Sequence, residues 1–338
     1  GGAGASDAVP ETVEHGAIIV STGHQEYRPT PDPYPLYGKN PAVLSRLDFE
    51  RRLVEEGTDW LAGLGRVAFV QCAGSRGEDR PENYCSRTCC SQAVKNALLI
   101  KGVSPATEVY VLHRDVRTYG FREDGYREAR EKGVVFVRRE DGKAPKLTEA
   151  ADGRPLVAVA DSDLTANLLL PVDLVVLSTG AVPSAGAATL ANRLKVTLNE
   201  DGFFMETHAK LAPMDLTSQG IFLCGGAHAP KTISESLLQA EGAAARAATI
   251  LAKEFLMAGG IVATVDAEKC AACLTCVRVC PFKVPFINER GVAEINPVQC
   301  RGCGTCAGEC PGQAIHLPGY KDRQMKAAVE ALFRVAGD

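Results

Sequence analysis

Residues 270–281 read CAACLTCVRVCP, and residues 300–311 read CRGCGTCAGECP. In each run three cysteines are spaced C-x2-C-x2-C, and a fourth cysteine follows after three residues and precedes a proline. Such a stretch wraps three thiolates around one [4Fe–4S] cluster, while the cysteine before proline ligates the second cluster of a two-cluster module. The predicted ligands are Cys270, Cys273, Cys276 and Cys310 for one cluster, and Cys300, Cys303, Cys306 and Cys280 for the other.

The alternatives to iron–sulfur clusters fit these two runs less well. Structural zinc sites favour paired C-x2-C knuckles over three-plus-one runs, and disulfides require an oxidising compartment. We therefore expect an α+β, bacterial-type two-[4Fe–4S] ferredoxin domain over residues 259–338. Gly259-Gly260 mark its start, and a helix from Asp322 to Val335 closes the chain. A domain of this kind transfers electrons.

The composition is that of an ordinary globular protein. Of 338 residues, 46% are hydrophobic and 23% charged, and the net charge is −4. This balance gives no reason to expect nucleic acid or a membrane surface as partner, and no apolar run approaches the ~20 residues of a membrane span. The start, GGAGAS, lacks the charged and apolar regions of a signal peptide. Thirteen cysteines in that context indicate metal ligation in a reducing, anaerobic cytoplasm.

Strand-like and helix-like segments alternate before the ferredoxin domain, which predicts an α/β fold with Rossmann-type units. Apolar, β-branched runs bounded by glycines indicate strands, and apolar positions three or four residues apart indicate helices. The expected strands are 16–23, 65–72, 107–115, 134–140, 155–161, a part of 168–180, and 220–227, and the expected helices are 41–56, 86–101, 126–133 and 233–255.

Two segments, IIVSTG (18–23) and VVLSTG (175–180), share an apolar strand that ends in Thr-Gly. In two-dinucleotide-domain flavoproteins this pattern recurs where the chain passes between the FAD and NAD(P)H domains. A third segment, GIFLCGGA (220–227), precedes a helix rich in Ala and Gly, as the last strand of an FAD domain does. A helix N-terminus offers free N–H groups and a positive dipole to a flavin, although simple packing of strand and helix remains the alternative. The expected flavin contacts are Thr22, Gly23, Gly225, Gly226, Ala227, His228, Lys231, Thr232 and Ile233.

Such a flavoprotein normally opens with a G-x-G-x-x-G turn that cradles the FAD pyrophosphate. No strand in this sequence is followed by that fingerprint, and GGAGAS reads as a flexible leader. A further departure is Gly226, where an Asp usually binds the ribityl chain. We expect a thioredoxin-reductase-like, two-dinucleotide-domain fold whose N-terminal FAD half is missing, either because the sequence is a fragment or because another polypeptide supplies it.

The strand–helix turn of the unit at 65–115 carries cysteines instead of a phosphate-cradling glycine loop. Cys72 ends the strand, and we expect Cys85, Cys89 and Cys90 to converge on the N-terminal end of the next helix, with Cys85 and Cys89 one turn apart on one face. These thiols could hold a further [4Fe–4S] cluster whose negative charge Arg76 and Arg87 would stabilise. Zinc and a redox disulfide are the alternatives.

Six segments and the two cysteine runs together carry a family resemblance: QCAGSR (71–76), YCSRTCC (84–90), AVKNAL (93–98), HRDVRTYGFREDGYREAREKGVVFVRRE (113–140), GFFMETHAKLAP (202–213) and 220–248. In this order, over about 16–335, the chain resembles the A subunit of heterodisulfide reductase. The resemblance implies that Cys72, Cys85, Cys89 and Cys90 are cluster ligands. It also implies that Lys95 lies near flavin N5; a solvent-facing helix lysine is the alternative. Members of this family carry FAD and several [4Fe–4S] clusters and bifurcate or confurcate electrons at the flavin.

The resemblance gives a domain division and a set of partners. We expect three [4Fe–4S] clusters, and an FAD shared with an N-terminal half on another chain. The expected partners are other subunits of a heterodisulfide-reductase-like complex and a ferredoxin or a hydrogenase or dehydrogenase as electron donor. Two other functions stay open: a non-bifurcating electron-transfer subunit of another anaerobic reductase, and a cluster-bearing scaffold without flavin. The expected domains are a partial FAD segment (1–64), a cluster-bearing Rossmann-like unit (65–180), the C-terminal part of the FAD domain (181–258) and the ferredoxin domain (259–338).

Overall fold

The computed structural model of the chain describes residues 12–77, 84–140, 142–163, 166–254, 260–297 and 299–335. The leader expected at Gly1–Ser6 lies outside the described residues, as does Gly259 of the expected domain boundary. The strands are β1 (Ile18–Val20), β2 (His24–Glu26), β3 (Val43–Ser45), β4 (Arg66–Ala73), β5 (Glu108–His113), β6 (Val135–Arg138), β7 (Lys146–Glu149), β8 (Pro155–Asp161), β9 (Ala166–Pro171), β10 (Leu174–Thr179), β11 (Ala181–Pro183), β12 (Ile221–Leu223), β13 (Thr264–Val265), β14 (Pro285–Ile287), β15 (Ala293–Ile295) and β16 (Ile315–His316). The α-helices are α1 (Arg46–Glu56), α2 (Cys89–Val103), α3 (Arg122–Glu131), α4 (Ala187–Leu194), α5 (Ile233–Leu251), α6 (Thr275–Val279), α7 (Thr305–Gly308) and α8 (Asp322–Val335).

Five parallel strands form the central sheet, in the order β3-β10-β4-β5-β6. All six residues of β10 are buried, because a parallel sheet is covered on both faces and its strands are apolar throughout. The helices α2 and α3 pack together, and Ile100 of α2 shares a core with Phe69 and Val111 of the sheet. This α/β, Rossmann-type arrangement confirms the fold class expected from the alternation of segments.

The three-stranded antiparallel sheet β7-β8-β9 lies in the connection between β6 and β10. Residues of β8 alternate between buried and half-buried positions, as expected for a strand with one face toward a core. Leu147 and Val157 pack in one cluster with Val70 and Leu177 of the central sheet. The antiparallel sheet therefore covers a part of the central sheet.

A second, smaller unit is built on the parallel pair β1 and β12 and the antiparallel pair β2 and β11. Val20 and Leu223 are buried together with Ala191 of α4. Ala243 and Ala247 of α5 pack against Phe222 and Cys224, and their small side chains let the helix approach the strand closely. Cys224 is a buried residue of this core.

The C-terminal module contains two antiparallel pairs, β13 with β16 and β14 with β15, and two short helices, α6 and α7, that contact each other. Its small core consists of Ala263, Ala293, Ile315 and several of the cysteines. The last helix, α8, has the bounds expected from the sequence, and it exposes Leu332 and Phe333.

Three expected elements begin elsewhere in the structure. Val43 and Leu44 belong to β3 and not to a helix, since α1 starts only after Ser45, whose hydroxyl accepts from Asp48 N. The helix expected from Tyr126 begins earlier, at Arg122, with Glu123 in its first turn. The helix expected from Ser86 begins at Cys89, because Arg87 has a left-handed backbone (φ 61°) that a helix does not accept.

Candidate functional site

The first cavity of the C-terminal module is lined by the four cysteines that the spacing assigns to one cluster, Cys270, Cys273, Cys276 and Cys310. Two of these thiols accept backbone hydrogen bonds, from Ala293 N to Cys270 Sγ and from Ala314 N to Cys310 Sγ, each 3.3 Å long. Donors of this kind stabilise thiolates. Cys310 reaches this cavity from the second cysteine run, so the two runs cross as the spacing requires.

The second cavity is lined by Cys280, Cys300, Cys303 and Cys306. Burial, together with the neighbouring thiols of Cys280, Cys300 and Cys303, raises the pKa of Cys306 to about 11. Such a thiol becomes a thiolate when a metal compensates its charge. The chemistry and arrangement of both donor sets fit a [4Fe–4S] cluster.

The cysteine spacing separates a cluster from a single zinc ion. Zinc draws its thiolates to about 2.3 Å from one centre and favours paired C-x2-C knuckles, whereas each thiolate of a [4Fe–4S] cluster binds its own iron. The three-plus-one spacing of both runs therefore favours clusters over zinc.

The third cysteine set lies where β4 meets α2. Cys72 is the last residue but one of β4 and has a left-handed backbone (φ 62°), and Cys89 and Cys90 open α2. Burial and then Cys72, Cys90 and Cys85 raise the pKa of Cys89 to about 12, and burial also raises the pKa of Cys90 to about 11. Cys85 Sγ lies 3.3 Å from Arg87 N, just before the helix, so the four cysteines are placed at the junction of β4 and α2. The expectation that Cys85 lies on the helix is wrong, since Cys85 precedes the left-handed residue Arg87.

Arginines surround the third cysteine set. Arg46 Nη1 lies 4.0 Å from Cys89 Sγ, and the charge of Arg76 lowers the pKa of Cys72 against the larger effect of burial, which raises it. Arg76 also pairs with Asp115. These cations offset the negative charge that four thiolates and a cluster would bring into a half-buried place.

The flavin contacts expected at two distant segments lie at one edge of the smaller unit. β1 and β12 are parallel, with Val20 opposite Leu223, so the residues that follow both strands emerge at the same edge. Thr22 and Gly23 follow β1, and the turn of Gly225, Gly226 and Ala227 follows β12. The structure thus brings these residues together.

His24 also lies at this edge, although its sequence context predicts only a structural role. Its imidazole packs on Gly226 so closely that an added Cβ would overlap His24 Nδ1, and a larger residue would push the ring aside. Burial lowers the pKa of His24, as do Arg46 and Lys231. The sequence signal that could have placed His24 at this edge is the Thr22-Gly23 pair after β1, because His24 follows it directly.

A hydrogen-bonded network of four side chains lies beneath the turn. Lys231 Nζ donates to Gly225 O (2.8 Å) and meets His228 Nδ1 at 3.1 Å, and Gln239 Nε2 lies 2.9 Å from the same ring nitrogen. Two donors at Nδ1 leave the ring proton on Nε2, which donates to Glu206 at 2.9 Å. Burial lowers the pKa of Lys231 to about 8. Sequence reasoning missed Glu206 and Gln239, because nothing local links either residue to the turn.

The N-terminus of α5 is closed by its own residues. Thr232 and Glu235 form a reciprocal capping box, and the Glu235 carboxylate also binds Arg87 Nη2 at 2.5 Å. Arg87 donates further to Pro230 O and Tyr119 OH. Ile233 is 81% exposed at the same helix end. Arg87 therefore joins the loop of the third cysteine set to the start of α5.

Lys95 lies on α2, and its side chain is 55% exposed. Its ammonium binds both carboxylate oxygens of Glu50, at 2.7 and 2.9 Å. Gln92 and Asn96 donate to the same carboxylate. The position of Lys95 relative to a flavin stays a prediction.

Comparison with known proteins identifies the family. A model of the 4Fe-4S dicluster domain matches residues 263–311. The A subunit of the H2:CoB-CoM heterodisulfide,ferredoxin reductase of Methanothermobacter marburgensis is 40% identical over 342 residues, which cover 98% of this chain and 51% of the relative. The chain belongs to the family of heterodisulfide reductase A subunits. This is a family of oxidoreductase subunits.

Other heterodisulfide reductase A subunits match over a similar share of their length. The A subunit of the ferredoxin:CoB-CoM heterodisulfide reductase of Methanosarcina acetivorans is 35% identical over 352 residues, covering 94% of this chain and 43% of the relative. The chain thus spans about half the length of the curated relatives it matches. Among solved structures, a thioredoxin reductase of T. acidophilum aligns with a TM-score of 0.44 and 13% identity over 70% of this chain and 64% of that chain. A likeness this distant carries no argument about function.

Helices long and apolar enough to cross a bilayer do not occur in the described ranges. The longest described helix, α5, has 19 residues and contains charged side chains, among them Glu235 and Arg246. The finding agrees with the absence of a long apolar run in the sequence.

Proposed function

We propose that the chain is an electron-transfer part of a heterodisulfide-reductase-like complex and that it holds three [4Fe–4S] clusters and one side of a flavin site. The observation that carries this proposal is the gathering of twelve cysteines into three sets of four, two of which line the cavities of the C-terminal module. Cys224 is buried in a strand core and takes no part. Clusters of this kind pass electrons one at a time.

The flavin part of the proposal rests on the edge formed by Thr22, Gly23 and the turn at Gly225–Ala227. Gly23 and Gly225 leave open space where a side chain would stand, whereas His24 covers Gly226. Lys231 donates to Gly225 O and meets His228 beside this turn. The bound FAD would supply two-electron chemistry, and the residues of this edge would bind and orient it. We propose that further residues, of this protein or of a partner chain, complete the walls of the site.

The link between flavin site and clusters is Arg87. Its guanidinium spans from the loop between Cys85 and Cys89 to Glu235 at the start of α5. This half-exposed contact joins the loop of the third cysteine set to the helix start beside the proposed flavin edge. We propose further that electrons divide at the flavin between two paths, as the family resemblance implies, and that the partners are the other subunits of such a complex.

Anaerobic purification of the chain, alone and with the proteins that copurify with it, tests this function. We expect about twelve irons per chain, from three four-iron clusters, and flavin bound when the complex is assembled. Iron at this level without flavin in any assembly would indicate a plain electron-transfer role. About eight irons or fewer together with no flavin would contradict the proposal and favour the scaffold alternative.

A further inference from the structure

Arg301 connects the C-terminal module to the smaller unit. It lies between two cysteines of the second set, Cys300 and Cys303, and lines their cavity. Its guanidinium donates to Thr217 O through Nη2 (2.8 Å) and Nε (3.3 Å), and to Leu216 O through Nη2 (3.4 Å). One side chain of the module thus holds two successive backbone carbonyls of the other unit.

The residues that receive Arg301 are themselves fixed. Leu216 is fully buried, and its N–H donates to Ile221 O at the start of β12. Thr217 is 6% exposed, and its hydroxyl has no hydrogen-bond partner among the described residues. The loop of Leu216 and Thr217, which accepts the hydrogen bonds of Arg301, therefore leads directly into β12 and the turn at Gly225.

The backbone next to Arg301 is held in a restricted conformation. Gly302 has a left-handed backbone (φ 62°), and a Cβ at this position would overlap Ile261 O. Only glycine fits so close to the start of the module. The segment of Cys300 to Cys303 is therefore pressed against Ile261 on one side and joined to the Leu216–Thr217 loop through Arg301.

The first cysteine set differs in this respect. Both cavities are lined by residues of the module alone, and Cys273 is exposed as Cys303 is. The backbone donors of the first set, Ala293 and Ala314, also belong to the module. The first set thus lacks a side chain like Arg301 that reaches the rest of the described chain.

We infer that Arg301 is a positioning residue that holds the C-terminal module against the smaller unit. In this orientation the Cys280/Cys300/Cys303/Cys306 cluster is the one nearer to the smaller unit. That cluster is the one that exchanges electrons with the flavin side, and the Cys270/Cys273/Cys276/Cys310 cluster faces a partner. This order of the two clusters rests on the proposed function, because it assumes that both sets hold clusters. The Arg301 contact itself does not depend on the flavin.

The order of the clusters can be tested by nuclear magnetic resonance on the full, ¹⁵N-labelled and iron-loaded chain after reduction. Cys303→Ala and Cys273→Ala are matched variants, since both cysteines are exposed and hold the same place in their runs. Paramagnetic broadening of the Thr217 and Ser218 amide signals should be lost in Cys303→Ala and kept in Cys273→Ala. Equal broadening in both variants, or the reverse pattern, would overturn the inference. If the wild-type chain binds no iron at all, that result would contradict the proposed function and not the order of the clusters.

Hydrogen–deuterium exchange of the full chain tests the Arg301 contact without removing a cluster. Arg301→Lys keeps the charge but loses the planar fork that binds two carbonyls. Exchange over residues 216–220 should become about tenfold faster, since hydrogen bonds to charged groups are worth at least that factor. Arg290→Lys is the control, because Arg290 is exposed on the hairpin of β14 and β15. Unchanged exchange in Arg301→Lys, or equal change in both, would show that Arg301 does not hold the module.

Discussion

The cysteine sets of the C-terminal module come mainly from short runs of chain, whereas the set at the Rossmann-type sheet is gathered from a strand end, a loop and a helix start. Each module run has one exposed cysteine, Cys273 or Cys303, beside a buried one, whereas no cysteine of the third set is exposed and Cys89 is buried. A hydrogen bond with Thr275 lowers the pKa of Cys273, and burial raises the pKa of Cys89 to about 12.

The difference shows two ways to make a thiolate available to a cluster. In the module, solvent, Thr275 and backbone N–H groups such as that of Ala293 stabilise the charge, and both of these residues belong to the module. At the sheet, the desolvation of Cys89 and Cys72 is offset by arginines, Arg46 for the first and Arg76 for the second. We therefore expect the sheet site to depend on the whole fold and the module sites to depend mostly on their own sequence.

Removing Cys89 should have the largest effect. Cys89→Ala should lower the iron content from about twelve to about eight per chain, because one four-iron cluster loses a ligand. The measurement is iron per chain after anaerobic reconstitution. Cys224→Ala is the control and should leave the iron content unchanged, since Cys224 packs in a strand core. Equal iron content in the wild type and in Cys89→Ala would show that the cysteines at the sheet hold no cluster.

The sheet site should also exclude nicotinamide nucleotides. Cys72 lies near the end of β4, and α2 opens with Cys89 and Cys90, where a dinucleotide-binding unit has a glycine loop for pyrophosphate. Neither NADH nor NADPH should bind the chain at micromolar concentration in anaerobic calorimetry. Bleaching of the chain by NADH alone would show that the Rossmann-type unit keeps its usual ligand.

Arg87 should couple the sheet site to the flavin edge. Arg87→Gln should lower stability by about 1 kcal/mol, or roughly 2 °C in thermal midpoint, because it breaks a half-exposed ion pair and its accompanying hydrogen bonds. The midpoint of the iron-loaded chain is the measurement. In Arg127→Gln, which removes an exposed pair with Asp124 on α3, the midpoint should hardly move. If both variants behave alike, Arg87 is an ordinary surface arginine.

Lys95 should give the smallest change in stability. Burial opposes the ionisation of Glu50, but hydrogen bonds from Lys95, Gln92 and Asn96 keep its pKa below its ordinary value. Such a carboxylate stabilises the fold above its unfolded pKa of about 4.5, and this contribution is lost as the pH falls through the lower folded value. Lys95→Ala should cost a few tenths of a kcal/mol at about pH 7, and thermal unfolding followed over pH should show the difference fade below about pH 4.

The same variant tests the family expectation for Lys95. If the ammonium lies near flavin N5, Lys95→Ala in the assembled complex should shift the flavin midpoint potentials, which an anaerobic redox titration measures. Lys132→Ala, which removes a comparable exposed pair with Glu128, is the control. Superimposable flavin curves for all three proteins would leave Lys95 as a surface partner of Glu50.

The two four-cysteine sets of the C-terminal module, each of which lines one cavity, and the α/β class could both be predicted from the amino-acid sequence. They rest on short-range regularities, the spacing of cysteines in each run and the alternation of strand and helix patterns. The closing helix, α8, has the bounds that its sequence predicted. The start of α2 was misplaced, because the left-handed backbone of Arg87 leaves no mark in a helical pattern.

The meeting of distant residues, by contrast, emerges only when the chain is folded. The parallel pairing of β1 with β12 brings Thr22 and His24 to Gly226. Glu206 reaches His228, and Arg301 reaches the carbonyls of Leu216 and Thr217 from a distant part of the chain. These contacts could not be predicted because a hydrogen bond or a close approach depends on position in space, and neither partner's local sequence records the other.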